Sequence, residues 1–154
     1  MAVGDIVWFR QGLLDLGKKL HDLSADALKI GIITSAVTPG ATDSDPRWGA
    51  GGGTNFSTNQ VATGTSYATG GPTLASVTWA LQSNQPELRA AQLTIAQDAS
   101  GFTNGRWGIG YNNTDAGKRA LFFVDLGSDR SIVGGPLVFD WNGASDIVLR
   151  ISGA

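Results

Sequence analysis

The chain has 154 residues, of which 42% are hydrophobic and 16% are charged, with a formal net charge of −2, one His and no Cys. This composition excludes disulfides and thiolate metal sites, and it offers no basic footprint for nucleic acid. No apolar run is long enough to cross a bilayer, and the N-terminus lacks the basic region of a signal peptide. The length fits a single domain over residues 1–154.

Residues 1–26 are predicted to form one amphipathic helix followed by a linker. Asp5 is expected to cap the helix, because a carboxylate accepts hydrogen bonds from free N–H groups there. The apolar positions alternate steps of three and four, which places them on one stripe. These positions are Ile6, Phe9, Leu13, Leu16, Leu20 and Leu23. The stripe predicts either a helix that covers a sheet or one that docks on a neighbouring subunit with Trp8 facing outwards.

Residues 27–154 are predicted to form a β domain. Residues 28–34 alternate as a strand, with Leu28, Ile30 and Ile32 on one face. Residues 35–68 are predicted to be a long loop with at most a short strand at 60–63. A loop of this length is usually functional or contains further structure.

The remaining strands are predicted from short apolar runs separated by turn residues. Residues 119–126 are almost continuously apolar, which is typical of a central strand covered on both faces. Asn142-Gly143 predicts a hairpin between the last two strands. The predicted ranges are 73–82, 87–97, 106–111, 119–126, 137–141 and 147–151. With no helices between them, they indicate antiparallel sheets in a jelly-roll-like β-sandwich, so the fold class is mainly β with one N-terminal helix.

Groups suited to catalysis are scarce. His21 is the only histidine and is expected to be a capping or exposed residue at the helix end. Asp125 lies in the most apolar strand, and Arg106 or Arg119 would make it a structural ion pair. No catalytic, cofactor-binding or metal-binding residue is therefore predicted.

The segment around residues 43–53 has several further interpretations. Asp43 and Asp45 resemble the start of a Ca²⁺ loop, but Pro46 and the residues after it interrupt the series of ligands. The glycines at 49–53 lack the Lys-Ser/Thr ending of a phosphate loop. Arg47 and Trp48 are residue types enriched at interface hot spots, although a Trp beside glycines also folds back on its own domain as a lid.

Tryptophan rings could also stack on sugars, as in a carbohydrate-binding module. Three of the four candidates lie on the apolar face of an alternating strand, so the core is the expected place for them. The four are Trp48, Trp79, Trp107 and Trp141.

Several motifs follow one another in a familiar order along most of the chain. They are VWF at 7–9, LLDLG at 13–17, HDLS at 21–24, LKIG at 28–31, DPRWG at 45–49, TNF at 54–56 and DASGFTN at 98–104, which runs into RWG at 106–108. This series resembles the small virion structural proteins of tailed bacteriophages, and among them most closely the capsid decoration (cement) proteins.

The resemblance implies a non-enzymatic protein made in the host cytoplasm and located on the capsid exterior of the virion. It would bind the major capsid protein across subunit junctions and self-associate as a dimer or trimer, with neither a nucleic acid nor a membrane as partner. Trp8, Arg47, Trp48 and Phe56 are the candidate interface residues. The alternatives are a tail or head-fibre component, possibly one that binds host glycans, and a hydrolase that uses Asp125 or His21.

Overall fold

A computed structural model describes residues 4–141 and 146–151. It is mainly β, with antiparallel sheets and one short helix, α1, at Arg10–Gly17. Among these residues no helix is long and apolar enough to cross a membrane. The strands are β1 Ile6–Trp8, β2 Leu28–Ile33, β3 Pro46–Arg47, β4 Thr54–Asn55, β5 Thr78–Gln82, β6 Gln85–Arg89, β7 Leu93–Ile95, β8 Gly105–Asn112, β9 Ala120–Arg130, β10 Leu137–Phe139 and β11 Ile147–Arg150.

A four-stranded antiparallel sheet in the order β1-β9-β8-β2 is the centre of the fold. Strand β9 has neighbours on both sides, and its residues 120–126 are all buried. The apolar run at 119–126 therefore predicted a central strand correctly. The alternation in β2 and in β8 was also predicted correctly, because Ile30 and Ile32 lie in one core cluster whereas Trp107, Ile109 and Tyr111 lie in another.

The two faces of this sheet are covered by different parts of the chain. The first face packs against residues of the smaller sheets β11-β6-β5 and β10-β7, including Leu88, Ile95 and Phe139. The second face packs against Phe9, at the start of α1, and against Trp48 and Phe56. Both faces are thus withdrawn from water, which explains why the central strands are apolar throughout.

The segment 35–68 contributes to both faces, because Trp48 and Phe56 lie in the cluster of the second face, whereas Val61 and Tyr67 lie in that of the first. It contains the short parallel pair β3–β4 and a 3-10 helix at Phe56–Asn59, so it holds more structure than the predicted loop. The Trp48 ring stacks on Tyr111, with ring centroids 5.3 Å apart and an interplanar angle of 9°. Farther along, the Tyr67 hydroxyl accepts a hydrogen bond of 2.6 Å from the Ile32 N–H.

The N-terminal prediction was wrong in its extent and its orientation. Residues 6–8 form β1, and the N-cap Phe9 provides no side-chain cap, so Asp5 does not cap α1. Gly12 lies against β9, where a Cβ would come within 3.1 Å of two backbone carbonyl oxygens. This close approach turns the Gly12 side of α1 inwards and leaves Leu13, a predicted inward residue, 42% exposed.

The later strands differ from their predicted ranges and pairings. Strand β9 continues to Arg130, beyond its predicted end at 126, and β10 ends at Phe139, before its predicted end at 141. The run 73–82 contributes only β5, and the run 87–97 divides into β6 and β7. Strand β10 pairs with β7 and β11 pairs with β6, so the predicted hairpin between the last two strands is wrong. Its turn residues, Asn142 and Gly143, lie outside the described residues.

Position 31 must be glycine, because the Trp48 ring lies directly against its backbone. A Cβ at this position would lie 2.2 Å from the Trp48 ring, which is held by its stack on Tyr111 and cannot move aside cheaply. We expect Gly31→Ala to lower the free energy of unfolding by about 1–3 kcal/mol, as overpacking does elsewhere.

Chemical denaturation measures this loss, and Gly134→Ala is the matched control. A Cβ at Gly134 has no atom within 4 Å, so its unfolding midpoint should change little. Equal midpoints for the two variants would contradict the packing argument.

Candidate functional site

The outward side of α1 is the first candidate site. Leu13 and Leu14 are 42% and 50% exposed, and Leu20, just beyond the helix, is 41% exposed. We call these three residues the α1 leucine surface. Large apolar side chains that gather on one side of a protein are typical of contact surfaces.

The backbone at both ends of α1 is fixed by hydrogen bonds. The Phe9 N–H donates to the Leu121 carbonyl at 3.0 Å, and the Arg10 N–H donates to the Ala41 carbonyl at 2.9 Å. At the C-terminal end, Lys19 adopts a left-handed conformation with φ of 60°, and the Leu20 N–H returns to the Asp15 carbonyl. This is a Schellman ending, and it holds Leu20 beside the helix.

A polar cluster lies beneath α1. Asp15 is 3% exposed, and its Oδ1 accepts a hydrogen bond of 2.7 Å from Gln11. Arg119 reaches two carboxylates, with its Nε 3.6 Å from Asp15 Oδ2 and its Nη1 2.8 Å from Asp115 Oδ1. Because buried charges are costly unless they are paired, Arg119 links the helix to the turn between β8 and β9.

Burial raises the pKa of Asp115, but the Arg119 N–H and the charge of Arg119 outweigh it, so the pKa lies below its ordinary value. The carboxylate therefore stays ionised in the pairing that this cluster requires.

His21 belongs to the same cluster, and its predicted exposure was wrong, because it is only 5% exposed. Asn112 Nδ2 lies 3.0 Å from His21 Nδ1 and 2.5 Å from Asp26 Oδ2. Asn112 Oδ1 accepts from the backbone N–H groups of Thr114 and Asp115, which fixes the orientation of the amide. His21 Nδ1 must therefore be the acceptor, and the neutral ring carries its proton on Nε2.

The Nε2 atom of His21 is buried and has no hydrogen-bond partner within the described residues. Burial lowers the pKa of His21 below 6.5, while the charges of Asp15, Asp115 and Asp26 act in the opposite direction. A proton on Nδ1 would face the Asn112 amide hydrogens and remove the hydrogen bond between His21 and Asn112. The geometry thus favours a neutral, structural histidine.

Three of the four candidate interface residues lie inside the fold. Trp8 is 9% exposed, Trp48 is 3% exposed, and Phe56 is completely buried. Trp8 donates from Nε1 to the Val148 carbonyl at 3.3 Å, and Phe56 stacks on Phe9. A partner would reach these rings only if the cover of the sheet opened, so their role as an interface stays a prediction.

Arg47 is the candidate that lies nearest to the surface. Its side chain is 16% exposed and binds Asp45 in a bidentate manner, with distances of 3.1 and 2.9 Å. The guanidinium packs against the glycine segment, where a Cβ at Gly52 would lie 2.7 Å from its Nε. Arg47 thus fixes the path of residues 49–53, and Asp45 serves as its counter-ion.

Asp125 forms the predicted ion pair with Arg106. The Arg106 guanidinium also lies over the Trp107 ring, 4.3 Å from its centroid. The hydrogen bond from Arg106 holds the pKa of Asp125 below its ordinary value, against the opposing effect of burial. The carboxylate is therefore ionised and paired, as a structural role requires.

A pocket of about 480 Å³ lies beside this ion pair. Its wall is partly apolar, with Ile6, Leu137 and Trp141, and partly charged, with Asp125, Arg130 and Asp140. Within the described part of the chain, no group of three His, Cys, Asp or Glu residues could hold a metal ion.

The tryptophans proposed for sugar stacking are mostly internal. Trp107 and Trp141 lie in the core, as expected from their strands, and Trp48 is covered as well. Trp79 is partly buried and packs at the margin of the core. Trp79 is thus the candidate whose ring keeps the most access to solvent.

Comparison with protein-family models, with curated proteins and with solved structures finds no match for this chain.

The sequence could not predict the polar cluster, because its members are far apart along the chain. His21, Asp115 and Arg119 meet only because β8 and β9 bring their connecting turn beneath α1. The one available signal was the pair His21 and Asp22 next to a helix end, which equally fits an exposed cap.

We expect the protein to lose stability as the pH falls through the range of histidine titration. Because burial lowers the pKa of His21, the unfolded chain binds this proton more tightly than the folded one. The contribution of neutral His21 to the free energy of unfolding is fully present above pH 6.5 and declines as the pH falls below it. Melting temperatures measured from pH 8 to pH 5 test this.

His21→Gln is the control, since the chain has no other histidine. Its melting temperature should vary less between pH 7 and pH 5 than that of the wild type. Parallel pH profiles for the two proteins would contradict the assignment.

Proposed function

We propose that this protein is a non-enzymatic capsid decoration (cement) protein of a tailed bacteriophage. It binds the outer shell across junctions between major capsid protein subunits and stabilises them. The observation that carries the proposal is the α1 leucine surface, in which three large apolar side chains on and just beyond a helix fixed to the central sheet are 41–50% exposed.

A clamp of this kind must transmit force without deforming. The double covering of the four-stranded sheet supports this requirement, because packed interiors are rigid and have low compressibility. A jelly-roll-like sandwich of the strand layers is part of the same proposal. The partly buried ion pairs Arg106–Asp125 and Arg119–Asp115 support a non-catalytic role for these residues, because their charges are already engaged with each other.

Each copy of the protein needs to bury only a modest area against the shell. A standard interface buries about 800 Å² per partner, and many copies on one shell add their effects. Binding across a junction adds contacts that must break before the two subunits separate. Self-association as a dimer or trimer would increase the number of contacts held by each unit.

The alternative is a tail or head-fibre component that binds host glycans. The pocket beside Asp125 favours it, because convergent polar groups next to an aromatic residue such as Trp141 are typical of small-ligand sites. In this case the bound molecule would contact Asp125 and Asp140, and α1 would have no part in binding.

Electron microscopy of shells distinguishes the two functions. The purified protein is mixed with shells of its phage assembled without it, and the added density is located. Density across the junctions of major capsid protein subunits is the expected result. Density on the tail or fibres would support the alternative, and absence of added density anywhere would overturn the cement proposal.

The α1 leucine surface makes a specific prediction about shell binding. The double variant Leu13→Glu/Leu14→Glu should bind shells at least about tenfold more weakly, since the burial of one leucine contributes ~1.5–3 kcal/mol. Glutamate favours helix, so the fold should persist. Co-sedimentation of the protein with shells measures the affinity.

Val138→Glu is the matched control, because Val138 is 45% exposed on β10, away from the helix. It should retain the affinity of the wild type. If only the control loses binding, or if neither variant does, α1 is not the contact surface.

A further inference from the structure

Strand β5 is an open edge of its sheet. The three-stranded sheet has the order β11-β6-β5, and β5 pairs only with β6. Within residues 4–141 and 146–151, no other backbone hydrogen bond involves Thr78–Gln82. Four of its five residues are exposed.

The edges of β2 and β1 have neighbours that the β5 edge lacks. The edge of β2 is occupied by hydrogen bonds from the Val61 N–H to the Ile32 carbonyl and from the Leu74 N–H to the Leu28 carbonyl. Strand β1 faces β11 across a pocket, and the hydrogen bond from Trp8 Nε1 to the Val148 carbonyl joins the two strands. Strand β5 therefore stands apart from the other edges.

The β5 edge also lacks the usual protection against pairing. Residues 73–86 contain no Asp, Glu, Lys or Arg. Its pairing with β6 is regular, without a bulge, and β5 itself contains no proline. Natural proteins normally guard an exposed edge with lysine, proline or a bulge, because free N–H and C=O groups bind other strands.

We propose that β5 is the interface of a two-fold symmetric homodimer, in which the β5 strands of two copies pair antiparallel and join their sheets. The inference does not rest on the proposed function. It follows from the direction of the free backbone groups, the side chains beside them and the neutrality of the edge.

The turn before β6 fixes which backbone groups of β5 are free. Ser83 and Asn84 both have positive φ, at 48° and 64°, and form a two-residue hairpin loop. In such a hairpin Gln82, Ala80 and Thr78 direct their hydrogen bonds towards β6. The intervening residues, Trp79 and Leu81, direct theirs towards the open edge. Pro86, opposite Leu81, agrees with this, because its carbonyl accepts from Ile151 on the far side of β6.

With a two-fold axis through Ala80, the free backbone N–H and C=O groups of Trp79 and Leu81 all find hydrogen-bond partners in the second copy. Trp79 then lies opposite Leu81 of the second copy, and each such pair exchanges two backbone hydrogen bonds. The side chains of Trp79 and Leu81 lie on one face of the strand, so Leu81, which is 67% exposed, gains an apolar neighbour. On the other face Thr78 meets Gln82 of the second copy.

A second copy fits this edge better than a charged partner strand. Across the two-fold axis every residue of β5 meets one of like polarity, and no charge is placed opposite another. A partner strand rich in lysine or glutamate would leave its charges without counter-ions along residues 73–86.

The chain has no cysteine, so a single introduced thiol reports this pairing directly. In the dimer the two Ala80 residues form a pair without hydrogen bonds, with Cα atoms about 4.5 Å apart, which suits a disulfide. Two Thr78 residues would be roughly 13 Å apart, which is too far. Under mild oxidation Ala80→Cys should cross-link at least about tenfold faster than the control Thr78→Cys.

The mass in solution supplies the second measurement. Sedimentation over a series of concentrations should show wild-type dimers in place of the 16.0 kDa monomer, while Leu81→Lys should remain monomeric. Leu14→Lys, which also replaces an exposed leucine, should dimerise like the wild type. A monomeric wild type, equal cross-linking of the two cysteine variants, or a Leu81→Lys dimer would each overturn the proposal.

Discussion

The stack of Trp48 on Tyr111, above the bare backbone of Gly31, is the contact on which the cover of the central sheet depends. It fixes the middle of a long connection that has little regular structure of its own. The sheet beneath can therefore be apolar on both faces, as the burial of residues 120–126 in β9 requires. Trp48 and Tyr111 belong to the same buried cluster as Trp107, Ile109 and Phe123.

The same sheet determines what α1 presents to solvent. The close approach of Gly12 to β9 brings Asp15 inwards, and a buried carboxylate needs the partners that Gln11 and Arg119 supply. Gln11 and Asp15 are thus used on the inner side of the helix. Leu13 and Leu14 lie on the outer side, while Leu16 packs against the core, so only part of the apolar stripe is buried.

Strands were predicted most accurately from the sequence where the burial of apolar side chains alone determines the structure. Alternation in β2 and β8, and the apolar run of β9, report burial directly, so the ends of β2 and β8 were predicted to within one residue. The start of β9 was predicted equally well, but the strand continues to Arg130, four residues beyond the apolar run. The face of α1 was wrong because a glycine contact overrode the apolar stripe. The last hairpin was wrong because β10 and β11 join different sheets, and His21 was misplaced because its partners come from distant turns. Each error arose where contacts between distant segments outweighed a local signal.

The pairing of β1 with β9 sets a constraint on synthesis. Ile6 lies opposite Val124, so the first strand finds its place only when almost all of the described chain has left the ribosome. At about 5–20 residues per second, synthesis of the chain between β1 and β9 takes at least several seconds, and β1 has no partner strand during this time. Helix α1 packs on the same strand and waits with it. The nascent N-terminal segment is therefore exposed to chaperones and proteases for longer than any later part of the central sheet.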